Sequence, residues 1–199
     1  MRLAVLLSGR GSNFAAIHQA IVDGQLDAEI VCVISNQPDA PGLTRARELG
    51  RSAHSINHRD FPNRAAHEEE VLRVLAEAEP DFICLAGYMR LLTPVFIAAW
   101  PHRILNIHPS LLPAFPGVDA QAQALAYGVK VSGCTVHFID ENLDAGPIIV
   151  QRTVPVRDED SVDTLAARIL EQEHIAYVEA LVSLATRRWR IEGRRVIFS

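Results

Sequence analysis

The sequence predicts an α/β fold on a mixed, mostly parallel sheet, and three observations carry that reading. Short, fully apolar runs such as Leu3–Leu7 and Phe82–Ala86 are the type expected of buried parallel strands. Stretches of helical length alternate with such runs over the first half of the chain. Later, Val131–Ile139 and Pro147–Val156 follow one another with only a polar loop between them, which predicts an antiparallel part towards the C-terminus.

The elements follow in order. Leu3–Leu7 is the first strand, and Ser8-Gly9-Arg10-Gly11-Ser12-Asn13 closes it. Phe14–Val22 is a helix with Phe14, Ile17, Ala20 and Ile21 on one stripe, ended by Gly24. Glu29–Ser35, rich in β-branched residues, is the second strand. Pro41–Leu49 is a helix closed by Gly50, and Ala53–Ile56 is a short strand. Arg64–Glu79 is a longer helix whose Glu68-Glu69-Glu70 run reads as a solvated face. Pro80-Asp81 resets the chain into Phe82–Ala86. Thr93–Trp100 is a short helix with Thr93 as N-cap and Pro94 at the first helical position. Arg103–Ile107 is a strand leading into the proline-rich loop Pro109–Gly117, and Ala120–Tyr127 is a helix. After the two paired strands, Ser161–Thr186 is a long helix opened by Ser161 and Asp163. Trp189–Phe198 forms a terminal hairpin around Glu192-Gly193.

Composition limits the function classes. The chain has 199 residues, 49% apolar and 22% charged, with a net charge of −5, the balance of a folded soluble domain. A chain of this length buries about 70% of its unfolded surface, so no staple is required. Its apolar runs break well before the roughly 18–20 residues of a membrane span. The N-terminal run stops at Ser8, short of the roughly 7–15 residues of a signal-peptide core, so a cytoplasmic location is expected. Cys32, Cys84 and Cys134 are far apart in apolar segments and read as buried thiols, neither a disulfide framework nor a metal site. The acidic balance argues against nucleic acid or a membrane surface as partner, though not against a small anionic substrate.

The glycine loop lies between a strand and a helix. Glycines permit a tight turn and a close backbone approach, and the N–H groups of the helix start then face an anion. Phe14 stands where a dinucleotide site wants a third small residue, and Ser35-Asn36 stand where it wants a ribose-binding acid. No Lys-Ser or Lys-Thr follows the last glycine, as an ATP loop requires. A monophosphate fits better.

Ile104–Ser110 carries the chemistry. On a strand, Asn106 and His108 project to the same side, at the sheet edge where ligands of open α/β sheets bind. An amide donor beside an imidazole suits acyl chemistry: Asn can bond a carbonyl oxygen that becomes charged, and His can supply a proton or charge. The loop Asp140–Pro147 offers a carboxylate to that imidazole, and spacing alone does not choose between Asp140 and Asp144. His137 reads as a supporting residue. No Gly-x-Ser-x-Gly elbow and no His-Glu-x-x-His array occurs, so neither a serine nucleophile nor a metal is expected.

Five segments together resemble the phosphoribosylglycinamide formyltransferases, a folate-dependent family of purine synthesis. They are Ser8–Asn13, Leu85–Leu92, Leu105–Pro113, Val136–Phe138 with Leu143–Pro147, and Gln172–His174. The resemblance runs from Leu3 to about Tyr177. It implies a single Rossmann-like formyltransferase domain over 1–199 with helices on both faces. Residues 1–100 would be its phosphate-binding half, 101–186 its catalytic and folate-binding half, and 187–199 the terminal hairpin. It implies that Gly11, Ser12, Asn13 and Glu173 bind phosphoribosylglycinamide. Arg64, Met89, Arg90, Leu91, Leu92, Asn106, Asp140 and Asp144 would meet 10-formyltetrahydrofolate, and Asn106, His108 and Asp144 would be catalytic. A monomer or homodimer without metal is implied. Asp119 and Gln121 depart from the family, many of whose members carry histidines there. Relatives with the same core, a formyltetrahydrofolate hydrolase and a tRNA formyltransferase, carry added domains for which this length leaves no room. A non-catalytic folate-binding module is disfavoured by the intact Asn106, His108 and Asp144.

Overall fold

A computed structural model describes residues 1–199. Two compact units divide the chain, Met1–Leu105 and Asn106–Ser199. In the first unit the chain alternates β1 (Arg2–Leu7), α1 (Ser12–Val22), β2 (Glu29–Ser35), α2 (Pro41–Glu48), β3 (Ala53–Ser55), α3 (Arg64–Ala78), β4 (Phe82–Leu85) and α4 (Pro94–Ala99). Its strands stand in the order β3-β2-β1-β4, and every pairing is parallel, with Leu6 between Ile34 and Leu85. Leu3 to Leu7 are wholly buried. That is why β1 is apolar without alternation: a central parallel strand has no solvent face.

Local chemistry sets the helix ends. Pro94 opens α4, and the Thr93 hydroxyl accepts the Phe96 N–H at 3.3 Å. Asn63 caps α3 by accepting the Ala66 N–H at 2.9 Å. Helix α1 begins at Ser12, ahead of the expected Phe14, and its N-cap is Gly11 at φ 70°, with no side-chain cap. A short 3-10 turn, His58–Asp60, precedes α3 and was not foreseen from the sequence.

One expectation fails here. Glu69 is exposed and Glu70 pairs with Arg73 at 2.7 Å, but Glu68 is only 4% exposed. Its carboxylate accepts the Thr93 N–H at 3.0 Å and the Thr93 hydroxyl. Glu68 lies three and seven residues before Val71 and Leu75, so the helical period turns it to their buried face.

Strand β5 (Ile104–His108) begins in the first unit and ends in the second. There it is followed by α5 (Ala120–Tyr127), β6 (Val131–Phe138), β7 (Ile148–Pro155), α6 (Val162–Thr186), β8 (Trp189–Glu192) and β9 (Arg195–Phe198), with strand order β5-β6-β7-β9-β8. Strands β6 and β7 are antiparallel, with a register shift between Val136 and His137; β8 and β9 form the expected hairpin. Helix α6 opens on a reciprocal Ser161–Thr164 capping box and lies against β6 and β7. Its buried stripe runs through Leu165, Ile169, Ala176, Ala180 and Leu184.

All three cysteines are buried free thiols, and burial pushes Cys32 up to about 11 and Cys134 up to about 12. Cys32 and Cys134 are thereby kept as thiols, and all three act as small hydrophobes. No helix is long and apolar enough to cross a membrane.

Candidate active site

The glycine loop joins β1 to α1. A Cβ on Gly11 would lie 2.8 Å from the Gly42 Cα, and the Gly42 N–H donates to the Gly9 carbonyl at 3.0 Å. The loop is therefore folded tightly onto the start of α2, which demands glycine at both contact points. The first turn of α1 carries Ser12, Asn13 and Phe14, whose N–H groups have no acceptor within the helix. With the macrodipole, they make this helix end electrically favourable to negative charge.

Further along the first unit, Met89–Leu92 run as irregular backbone between β4 and α4. Met89 is 80% and Leu91 58% exposed, an apolar surface with no solvent-side reason to be there. Arg64 is exposed at the first position of α3.

The acid–base residues gather in the second unit. Asn106 and His108 stand two apart on β5, and His137 is on β6. Asp144 comes from the loop between β6 and β7, in the left-handed region at φ 50°. The Asp144 carboxylate lies 3.4 Å from His108 Nδ1 and 3.8 Å from His137 Nε2, and it accepts the Gly117 N–H at 2.8 Å. His108 Nε2 lies 2.8 Å from the carbonyl oxygen of Phe115, which can only accept. Both ring nitrogens of His108 thus face oxygen.

His137 is held differently. Its Nδ1 lies 2.9 Å from the Phe138 carbonyl, so that nitrogen carries the proton and Nε2 is left as an acceptor. The Asn106 amide Nδ2 donates to it at 3.4 Å. Burial pulls the His137 pKa down; the Phe138 hydrogen bond and the Asp144 charge oppose this, and His108 adds to it. His137, which burial favours in its neutral form, therefore orients Asn106.

Backbone fit places the Asp144 loop. A Cβ on Gly146 would sit 1.8 Å from the Phe138 carbonyl oxygen, so only glycine allows the two ends of the loop to close. Asp140 accepts the Asn142 N–H at 2.9 Å in a local turn. The choice the spacing left open is thereby made: Asp144 reaches the imidazoles, and Asp140 shapes the loop. Glu173 is buried on α6.

Sequence reasoning missed the Phe115 carbonyl and the Gly117 N–H, because backbone groups carry no residue signature. The proline-rich loop that presents them was the available signal. Phe115 itself stands at φ 53°, its ring packed on Tyr127 at 5.8 Å. No group of three His, Cys, Asp or Glu side chains is arranged to hold a metal ion.

An asparagine, a histidine and a carboxylate gathered at a strand edge form an arrangement suited to acyl chemistry, and the chain falls in the formyl transferase class. The profile of that family matches residues 1–181, and the chain belongs to it. Several glycinamide ribonucleotide enzymes are similar to it. It is 42% identical over 177 residues to phosphoribosylglycinamide formyltransferase of Escherichia coli (strain K12), covering 89% of this chain and 84% of that protein. The crystal structure of glycinamide ribonucleotide transformylase 1 from Symbiobacterium toebii superposes with a TM-score of 0.97 at 48% identity, over 100% of this chain and 93% of that one. The trifunctional purine biosynthetic protein adenosine-3 of Drosophila pseudoobscura pseudoobscura is 49% identical over 93% of this chain. The chain spans only 14% of the length of that relative.

Proposed function

We propose that this chain transfers the formyl group of 10-formyltetrahydrofolate to the amine of phosphoribosylglycinamide, a cytoplasmic step of purine synthesis, as one formyltransferase domain over 1–199. The observation that carries the reading is the Asn106, His108, His137 and Asp144 cluster in a formyl transferase so similar to the bacterial enzyme.

The residues fit the two substrates. Gly11, Ser12 and Asn13 hold the ribonucleotide phosphate on N–H groups, with Glu173 at the ribonucleotide. The exposed apolar surface of Met89 and Leu91 suits a flat heterocycle, and Arg64, Arg90, Leu92, Asn106, Asp140 and Asp144 complete the folate contacts. The folate supplies the formyl group. Asn106 donates its second amide N–H to the formyl oxygen as negative charge develops there, an effect worth roughly 3–4 kcal/mol for a well-placed donor. His108 adds positive charge. A direct bond from Nε2 to that oxygen replaces the Phe115 carbonyl. Asp144 supports the charged ring and takes the proton leaving the attacking amine. The intermediate then collapses: the bond from the formyl carbon to the folate nitrogen breaks, and that nitrogen departs in tetrahydrofolate with the proton returned by Asp144, directly or through water. Positioning of the two substrates supplies much of the remaining rate.

The test is purified protein with 10-formyltetrahydrofolate, with and without phosphoribosylglycinamide. Folate turnover that requires the ribonucleotide is expected. Release of tetrahydrofolate without it indicates a hydrolase, and folate binding with no turnover indicates a binding module.

A further inference from the structure

The segment Met89–Leu92 belongs to no strand or helix, and its two ends are held by polar side chains from elsewhere in the first unit, the half-buried Ser8 and the buried Glu68. At the front, the Ser8 hydroxyl accepts the Met89 N–H at 2.8 Å and donates to Asn36 Oδ1 at 2.5 Å. The Ser8 N–H also donates to the Gly87 carbonyl at 3.0 Å. Asn36, at 2% exposure, anchors this tie in the core. At the back, the Glu68 carboxylate takes the Thr93 N–H on both oxygens, at 3.0 and 3.2 Å, and the Thr93 hydroxyl as well. A buried carboxylate is costly unless its oxygens are satisfied, and here Thr93, the residue after Leu92, is the partner seen.

We propose that Ser8 and Glu68 are positioning residues that clamp the Met89–Leu92 segment for the folate, so that Ser8, though it opens the glycine loop, serves the folate and not the phosphate. This rests on the functional reading above. The hydroxyl chemistry carries it: Ser8 has one hydrogen to donate, and Asn36 receives it. What remains of the loop for an anion is its backbone and the residues from Gly11 onward. Without the clamp, the exposed Met89 and Leu91 sit on backbone with no ladder to hold it. Folate binding would then have to order that backbone at its own expense.

Steady-state kinetics of Ser8→Ala and Glu68→Gln test this, with Ser8→Thr and Thr93→Ser as conservative rescues and the exposed Glu69→Gln as control. Each of the first two raises KM for 10-formyltetrahydrofolate by about tenfold, the scale of one lost hydrogen bond to an ordered segment. The KM for phosphoribosylglycinamide and kcat stay within about twofold, and the rescues and the control match wild type. A rise in the ribonucleotide KM for Ser8→Ala, or no rise in the folate KM, overturns the proposal. Calorimetric binding of tetrahydrofolate reads the clamp separately from catalysis. A wild type that binds tetrahydrofolate but transfers nothing refutes the functional reading while leaving the clamp testable by the same variants. A wild type that binds no folate overturns both. If Glu68→Gln does not fold, Ser8→Ala decides alone.

Discussion

Replacing Asp144 by Asn removes a charge while keeping a side-chain oxygen for the Gly117 N–H. The carboxylate lies 3.4 Å from His108 Nδ1, and both side chains are nearly buried, at 8% and 6% exposure. At an effective dielectric of about 20, opposite unit charges at that distance attract by about 5 kcal/mol. Part of this is returned as relief of desolvation, and breaking such a buried pair costs about 3–5 kcal/mol. The lower figure, felt where His108 must carry its charge beside the developing oxyanion, corresponds to a loss of about two orders of magnitude in kcat/KM. The assay is steady-state formyl transfer together with calorimetric binding of phosphoribosylglycinamide to the same variant. The ribonucleotide affinity is expected to stay within about threefold, because its phosphate is assigned to the loop at Gly11–Asn13. Turnover within fivefold of wild type, or affinity falling in step with rate, would refute the role given to the charge.

Gly146→Ala places a methyl carbon 1.8 Å from the Phe138 oxygen; the loop must shift by more than an ångström, and a fall of about a hundredfold in kcat is expected. Wild-type kcat in that variant would show that the loop ends are not what positions Asp144. Gly11→Ala meets both an unfavourable φ of 70° and the Gly42 Cα at 2.8 Å, so it should raise KM for the ribonucleotide with little change in the folate KM. An unchanged ribonucleotide KM places the phosphate elsewhere. Burial lowers the pKa of His67, His137 and His174 below the usual 6.5. The unfolded chain then takes up protons first as pH falls, so stability is full above about pH 6.5 and declines below it. His67 Nδ1 is buried without a partner, and His67→Gln should flatten the decline measured by urea denaturation between pH 7 and 5. A slope unchanged by that variant removes His67 from the account.

Fold and site were legible to different depths. Strand β2 and helix α5 carry their bounds in composition alone, because β-branched runs and glycine or polar stops are local signals. Thr93 and Pro94 announced their helix for the same reason. Glu68 was misread because three adjacent glutamates suggest a solvated face, whereas the helical period turns only one of them inward. Alternation on β5 put Asn106 and His108 on one side. The decision between Asp140 and Asp144 needed the loop closure at Gly146, which depends on a carbonyl eight residues away. The grip on His108 depends on the Phe115 carbonyl, and no residue pattern encodes a backbone oxygen.

The central claim is that the formyl group goes to the ribonucleotide amine and not to water. Its most direct measurement is the fate of isotopically labelled formyl carbon from 10-formyltetrahydrofolate when enzyme and phosphoribosylglycinamide are both present. Recovery of nearly all the label in formylated ribonucleotide, with none converted when the ribonucleotide is withheld, is the result expected. Label accumulating as formate at the same rate with and without the ribonucleotide would contradict it.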